Sequence, residues 1–123
     1  MTNFDMVEEF HYAFNLPIQH EITNVDEELR DLRIRLIEEE VTEVKEAMYA
    51  NRIYDVAKEL ADILYVVYGT ALVYGIDLDW AFQKVHESNM SKLGPDGKPI
   101  YREDGKVLKG PGYVAPDMSE FAS

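Results

Sequence analysis

Residues 26–50 read DEELRDLRIRLIEEEVTEVKEAMYA and contain neither glycine nor proline. Most of these residues favour helix, and the Asp26 side chain is suited to cap the first turn. At about 100° per residue, Leu29, Leu32 and Leu36 form one apolar stripe. The pattern therefore predicts a long helix over 26–50 that buries this stripe.

The apolar stripe of this helix continues into acidic residues. Steps of four and three residues lead from its leucines to Glu40 and then to Glu43. A further helix, predicted over 54–74 and stopped by a glycine, carries Glu59 and Asp62 at the same spacing. Four like charges on core-facing stripes would repel one another and lose hydration unless a cation lies among them. Oxygen-only ligands suit Mg²⁺, or Mn²⁺ in its place, better than zinc or copper.

Two shorter helices complete the predicted helical part of the chain. Asp5 is a candidate N-cap for a first helix that ends near Phe14. Asp77 or Asp79 is expected to cap a last helix that runs to about Met90. We therefore predict an all-α fold with four helices.

The composition changes after residue 93. Glycine and proline recur from Gly94 onward and exclude a continued helix. Asp104 and Gly105 lie between two short apolar runs, which predicts a small hairpin. We expect one domain, with a helical part at 1–93 and an extended C-terminal tail at 94–123.

The charge balance excludes several classes of partner. The 123 residues include 24 acidic and 12 basic side chains, for a formal net charge of −12. Such a protein is poorly suited to bind nucleic acid or an anionic membrane. There is no cysteine, which excludes disulfides and thiol catalysis. The longest uncharged stretch, residues 63–76, is too short to span a membrane, so we expect a cytoplasmic protein.

The paired acids resemble a known family signature. Glu40-x-x-Glu43 followed by Glu59-x-x-Asp62 resembles the motif of the MazG-like all-α nucleotide pyrophosphatases, to which the phosphoribosyl-ATP pyrophosphohydrolase-like proteins are similar. The resemblance includes the SNMSK segment at 88–92. It implies a four-helix MazG-like bundle in which the four acids hold Mg²⁺. It also implies hydrolysis of a nucleoside triphosphate to a monophosphate and pyrophosphate. We favour a house-cleaning role toward nucleotides in general or toward pyrimidine deoxynucleotides.

Other residues follow from the resemblance and from local charge. Glu39 lies about 100° around the helix from Glu40 and is the candidate general base. Arg33 is placed to pair with Glu40, as a plain salt bridge, or with a phosphate. The tail is locally basic in an acidic chain, which suggests a polyphosphate clamp. The candidate substrate-binding residues are Asn89, Lys92, Arg102, Lys106, Lys109 and Tyr113.

Two alternative functions stay open at this point. The first is the phosphoribosyl-ATP reaction itself, which the sequence does not separate from hydrolysis of other nucleotides. The second is a non-enzymatic interaction module, in which the acidic residues form a docking face for a basic partner. Wide apolar stripes that include Ile34 and Val41 further predict a homodimer or a dimer of dimers.

Overall fold

A computed structural model describes residues 1–122 of the chain. These residues form four α-helices and one short 3₁₀ helix, with no β-strand. The prediction of an all-α fold is confirmed. The helices are α1 (Asn3–Ala13), α2 (Glu27–Tyr49), α3 (Ile53–Tyr74) and α4 (Leu78–Met90), and the 3₁₀ helix is Ser119–Ala122.

Local capping chemistry sets the helix ends. Asp26 is the N-cap of α2, as predicted, and its side chain accepts a hydrogen bond of 2.8 Å from the Leu29 amide. Gly75 ends α3 in the left-handed region at φ 70°, also as predicted. The predicted cap of α1 was wrong. Thr2 is the N-cap, and its hydroxyl accepts a hydrogen bond from the Asp5 amide. Asp5 is the third helical residue, and its carboxylate accepts a hydrogen bond of 2.9 Å from the Thr2 amide, which completes a capping box.

The chain forms two compact units, the N-terminal unit Met1–Leu78 and the C-terminal unit that starts at Asp79. In the N-terminal unit, α2 and α3 pack against each other, and α1 packs against α3. The buried apolar residues of this unit come from all three helices and include Val7, Ala47 and Leu72. These contacts hold the acid-bearing faces of α2 and α3 together. Residue 123, the last of the predicted tail segment 94–123, lies outside the described residues.

The C-terminal unit contains α4 and the segment that follows it. One isolated antiparallel bridge joins Tyr101 to Val107 around the Asp104-Gly105 turn, where the sequence predicts a hairpin. Ser88 is buried, and its hydroxyl donates a hydrogen bond of 2.7 Å to the Val114 carbonyl. The tail is thus held on α4 by polar contacts.

No single helix within residues 1–122 combines the length and the hydropathy needed to cross a membrane. Helices α3 and α4 reach the required length and hydropathy only when they are counted as one segment across the break between them.

The absence of a side chain at Gly69 is required by the packing of the N-terminal unit. A Cβ at this position would lie 2.6 Å from Arg33 Nη2 and 2.9 Å from His11 Nε2. Arg33 cannot move aside freely, because Nη2 donates a hydrogen bond of 2.9 Å to the Val66 carbonyl. The close contact explains why a glycine is kept inside a helix, where it is unfavourable.

Gly69→Ala is therefore expected to destabilise the protein. Overpacking costs about 1–3 kcal/mol and exceeds the roughly 1 kcal/mol of helix propensity that alanine adds. Urea unfolding should show a net loss of stability of up to about 2 kcal/mol. Gly112→Ala is the matched control, since a Cβ there meets no atom within 4 Å. Equal stability of the two variants would contradict the packing argument.

Candidate metal centre

Four carboxylates meet where α2 packs on α3. We call Glu40, Glu43, Glu59 and Asp62 the acidic cluster; one oxygen from each lies within 4.8 Å of all the others. The i, i+3 spacing places the two acids of each helix on one face. The short link at residues 50–52 folds α3 back along α2, so the two faces meet. The structure thus brings together the four residues that the sequence predicts as metal ligands.

Two oxygens of the acidic cluster lack a partner in the described part of the chain. Glu40 Oε2 and Glu59 Oε2 are both buried without a hydrogen bond. A buried carboxylate oxygen without a partner costs free energy, and more so beside three other acids. A divalent cation would supply the missing interaction for both oxygens. The donor set is oxygen only, so these residues fit Mg²⁺ or Mn²⁺.

The surroundings of the acidic cluster shift its protonation equilibria. Burial raises the pKa of Glu40, and the charges of Glu43, Asp62 and Glu59 raise it further. The pKa of Glu59 is raised first by burial and then by a hydrogen bond with Glu43, while Lys58 acts in the opposite direction. Both shifts have the sign expected for acids crowded together away from water.

One cation lies at the edge of the acidic cluster. Lys58 Nζ lies 2.8 Å from Asp62 Oδ2 and 3.3 Å from Glu59 Oε1. These contacts raise the pKa of Lys58 above its ordinary value. The lysine side chain is 66% exposed, so its amine can leave the carboxylates without breaking the core.

Removing the Lys58 charge should strengthen metal binding, because a metal ion and this ammonium are drawn to the same oxygens. We expect Lys58→Met to bind Mn²⁺ about fivefold more tightly. The effect is modest because solvent screens the charge of an exposed lysine. Calorimetric titration with Mn²⁺ measures the change. Lys45→Met, at an exposed lysine of α2, is the control. Weaker binding by Lys58→Met would contradict this interpretation.

Glu39, the predicted general base, is exposed and lies on α2 next to the acidic cluster in sequence. Together with Arg35, Glu38 and Thr42 it lines a shallow concavity. It is not one of the acids whose oxygens meet at the cluster. Its role in catalysis stays a prediction.

Arg33 is deeply buried, with 8% of its surface exposed. Its Nε donates a hydrogen bond of 3.1 Å to Thr70 Oγ1, and its Nη2 donates one of 2.9 Å to the Val66 carbonyl. Both partners are neutral oxygens. The salt bridges described for residues 1–122 do not include Arg33, so the predicted pairing with Glu40 is not formed.

The predicted substrate-binding residues all belong to the C-terminal unit. Arg102 Nε donates a hydrogen bond of 2.8 Å to Asp104 Oδ1, and Lys109 Nζ lies 4.7 Å from the centre of the Tyr113 ring. Lys106 and Asn89 are exposed. The Lys92 carbonyl accepts a hydrogen bond of 2.8 Å from the Gly110 amide. Binding of substrate by these residues stays a prediction.

Sequence reasoning missed a cavity that adjoins the acidic cluster. The cavity has a volume of about 280 Å³, and its lining includes Phe10, His11 and Tyr65. The sequence did offer a signal for His11, because it follows the apolar Val7 by four residues and so lies on the same face of α1. The pairing of α1 with α3 is a tertiary contact that the helix pattern alone does not give.

Comparison with known proteins gives three findings. Residues 7–89 match the sequence model of a family described as phosphoribosyl-ATP pyrophosphohydrolase. The chain is 34% identical over 112 residues to an uncharacterised protein of Acanthamoeba polyphaga mimivirus, covering 88% of this chain and 42% of that protein. It therefore spans about two fifths of the length of this curated relative. A crystal structure of a candidate NTP pyrophosphohydrolase from Exiguobacterium sp. 255-15 matches 99% of this chain and 92% of its own, with 24% identity and a TM-score of 0.52, which shows a shared fold.

Proposed function

Since the chain belongs to the phosphoribosyl-ATP pyrophosphohydrolase family, we propose that it is a Mg²⁺-dependent nucleotide pyrophosphohydrolase. In the proposed reaction, water attacks the α-phosphorus of a ribo- or deoxyribonucleoside triphosphate. The bond between the α-phosphorus and the bridging oxygen breaks, and the products are the nucleoside monophosphate and pyrophosphate. Mn²⁺ is the expected substitute for Mg²⁺.

The acidic cluster is the observation that carries this proposal. One oxygen from each of the four acids lies within 4.8 Å of the others, and two oxygens of the cluster are buried without a partner among residues 1–122. The chain has a formal charge of −12 and would repel a triphosphate without a cation between them. An acidic docking face for a basic protein, the non-enzymatic alternative, gives no reason to bury Glu40 Oε2 and Glu59 Oε2.

The protein residues divide the chemical work. Glu40, Glu43, Glu59 and Asp62 would hold the metal, which when bound neutralises phosphate charge and lowers the pKa of a coordinated water. Glu39 is the candidate acceptor of the proton that the attacking water loses. The carboxylates come from the regular part of two packed helices, which fixes their positions better than loops would.

The physiological substrate separates two candidate roles. We favour house-cleaning of the nucleotide pool, which also suggests the cytoplasm as the site of action. The description of the family that matches residues 7–89 favours phosphoribosyl-ATP as the second candidate substrate. Both reactions cleave the same type of bond and use the acidic cluster in the same way, so both substrates belong in one assay.

Self-association is part of the proposed function. Several large apolar side chains of the N-terminal unit are exposed, among them Met6, Leu64 and Tyr65, which line a largely apolar groove between α1 and α3. Exposed apolar surface of this kind favours a homodimer or a dimer of dimers. Light scattering at micromolar concentration should give a mass of at least twice 14.2 kDa, and a monomeric mass would contradict it.

The test of the proposed function is pyrophosphate release from a panel of NTPs, dNTPs and phosphoribosyl-ATP, with Mg²⁺, with Mn²⁺ and with a chelator. We expect metal-dependent release from one or a few nucleotides. Glu43→Gln should abolish it, and Glu46→Gln, three residues further along α2, should not. No release from any nucleotide, together with no metal binding by calorimetry, would contradict the proposal and favour the interaction module.

A further inference from the structure

Lys58, at the edge of the acidic cluster, has the position and the charge of a phosphate ligand. We propose that its ammonium binds the pyrophosphate end of the substrate and stabilises the negative charge that pyrophosphate gains as it leaves. This inference rests on the proposed function, because it assigns a further residue to the same reaction. It is carried by the contacts of Lys58 with the cluster, by its exposure and by the charge of its surroundings.

Lys58 is the cation that the fold holds against the acidic cluster. Its Nζ lies 2.8 Å from Asp62 Oδ2 and 3.3 Å from Glu59 Oε1. Among the salt bridges described for residues 1–122, only these two involve an acid of the cluster. The i, i+4 spacing places Lys58 and Asp62 on one face of α3. The ammonium is therefore held in place before any ligand arrives.

The Glu59 carboxylate separates an inner from an outer side of the cluster. Its Oε1 accepts a hydrogen bond from Lys58, whereas its Oε2 is buried and has no hydrogen-bond partner among residues 1–122. The exposed fraction of the side chain rises from 14% at Glu59 to 37% at Asp62 and 66% at Lys58. The ammonium thus lies on the solvent side, from which a hydrated polyphosphate can reach the cluster.

Lys58 has a hydrogen-bond donor left for a ligand. An ammonium carries three N–H groups, and the contacts with Asp62 and Glu59 account for two of them. The lysine stem is flexible and mostly exposed, so the amine can turn toward a ligand without loss of core packing. Lysine binds phosphate as a compact point charge, which suits this position.

The charge balance of the cluster favours a further cation at this edge. Four carboxylates carry more negative charge than one divalent ion neutralises, and the phosphates of the substrate add several more charges. Two arginines of the N-terminal unit, Arg30 and Arg52, pair with acids outside the cluster. Arg33 is buried and donates its hydrogen bonds to neutral oxygens. Lys58 is therefore the basic residue best placed to offset the phosphate charge.

In the proposed reaction, the ammonium acts on the leaving group. When the bond between the α-phosphorus and the bridging oxygen breaks, its electron pair stays on that oxygen and pyrophosphate gains negative charge. A cation already positioned at this charge stabilises the transition state more than the ground state. Lys58 keeps its protons throughout the reaction. Its contribution is electrostatic, and the nucleoside monophosphate needs no contact with it.

The test measures the binding of pyrophosphate, the product that every candidate substrate releases. Pyrophosphate is titrated calorimetrically into the protein at saturating Mg²⁺. We expect Lys58→Met to bind it about tenfold more weakly than wild type, the effect of one charge-assisted hydrogen bond. Lys58→Arg keeps the charge and the donors and should bind pyrophosphate as wild type does. Lys45→Met, at an exposed lysine of α2, is the matched control and should also match wild type.

The sign of the effect separates phosphate binding from two simpler roles of Lys58. A lysine that only competes with the metal predicts tighter binding of Mn²⁺ and equal or tighter binding of pyrophosphate in Lys58→Met. A lysine that only stabilises α3 predicts a lower melting temperature and unchanged pyrophosphate affinity. We expect the combination that neither role predicts, namely tighter binding of Mn²⁺ alone and weaker binding of pyrophosphate.

Three results would overturn the role of Lys58. The first is equal or tighter pyrophosphate binding by Lys58→Met. The second is an equal loss of affinity in Lys45→Met, which would show a general effect of net charge. The third is a loss in Lys58→Arg as large as in Lys58→Met, because the charge is kept in the arginine variant.

Separate results test the reaction and the role of Lys58. Pyrophosphate binding that depends on Lys58, without turnover of any nucleotide, would contradict the proposed reaction and keep the phosphate contact. Metal-dependent pyrophosphate release, with the same kcat/KM and the same pyrophosphate affinity in wild type and Lys58→Met, would keep the reaction and overturn the role of Lys58.

Discussion

Replacing Glu40 with glutamine is expected to abolish metal binding and, at the same time, to stabilise the metal-free protein. Glu40 Oε2 is buried and has no hydrogen-bond partner in the described part of the chain, and burial together with three neighbouring acids raises the pKa of this residue. Glutamine has nearly the same shape but carries no charge. The substitution removes a carboxylate that the metal needs as a ligand. It also removes a buried negative charge that destabilises the folded protein when no metal is bound.

The expected effects are large and have opposite directions. Metal affinity and pyrophosphate release should fall by about 100-fold or more, since loss of a residue that only supports a metal ligand already costs about 10–100-fold. In the presence of a chelator, the melting temperature at neutral pH should rise by about 2–5 °C. Glu38→Gln, at an exposed site on α2, is the control and should leave metal affinity, pyrophosphate release and melting temperature unchanged.

The stabilisation should depend on pH in a defined way. An acid whose pKa is raised on folding stabilises the folded state less as pH rises from its unfolded pKa through its folded pKa. The free energy of unfolding of the metal-free wild type should therefore fall across that window. The difference in melting temperature between wild type and Glu40→Gln should disappear below the ordinary glutamate pKa. A variant that is less stable than wild type at neutral pH would contradict the assignment.

Metal affinity is expected to weaken steeply as pH falls. Ligand carboxylates must lose their protons to bind a metal, and the pKa values of Glu40 and Glu59 are both raised. The loss should therefore begin at a higher pH than for ordinary glutamates. Below that point, affinity should drop by about tenfold per pH unit for each proton displaced.

Calorimetry measures this coupling directly. Titration with Mn²⁺ in buffers of different ionisation enthalpy gives the number of protons released on binding. We expect release to increase as pH falls toward the raised pKa values, and Glu40→Gln to lose it along with the binding. Affinity that stays constant down to the ordinary glutamate pKa would show that these acids do not hold the ion.

The sequence was sufficient for the features that local rules determine. Helix propensity and an N-cap at Asp26 predict α2, and Gly75 predicts the end of α3, because each depends on residues within one turn. The acidic cluster was also predictable. The i, i+3 spacing places the two acids of each helix on one face. The link between α2 and α3 has only three residues, so the two helices are close neighbours and their acidic faces can meet.

Features that depend on competing partners were not predictable in the same way. Both Thr2 and Asp5 are good capping residues, and only the backbone geometry shows that Thr2 is the cap. Arg33 lies about two turns before Glu40 on α2, but its guanidinium reaches α3 and donates hydrogen bonds to Thr70 and Val66 instead. Which partner it takes depends on how closely α3 approaches at Gly69, a tertiary distance.

The most direct test of the central claim is the identity of the products. Wild-type protein is incubated with Mg²⁺ and the nucleotides of the panel, and the phosphorus products are resolved by ³¹P NMR. Cleavage between the α and β phosphates predicts equal amounts of nucleoside monophosphate and pyrophosphate, lost with a chelator and in Glu43→Gln. Nucleoside diphosphate and orthophosphate, or no turnover of any nucleotide, would contradict the account.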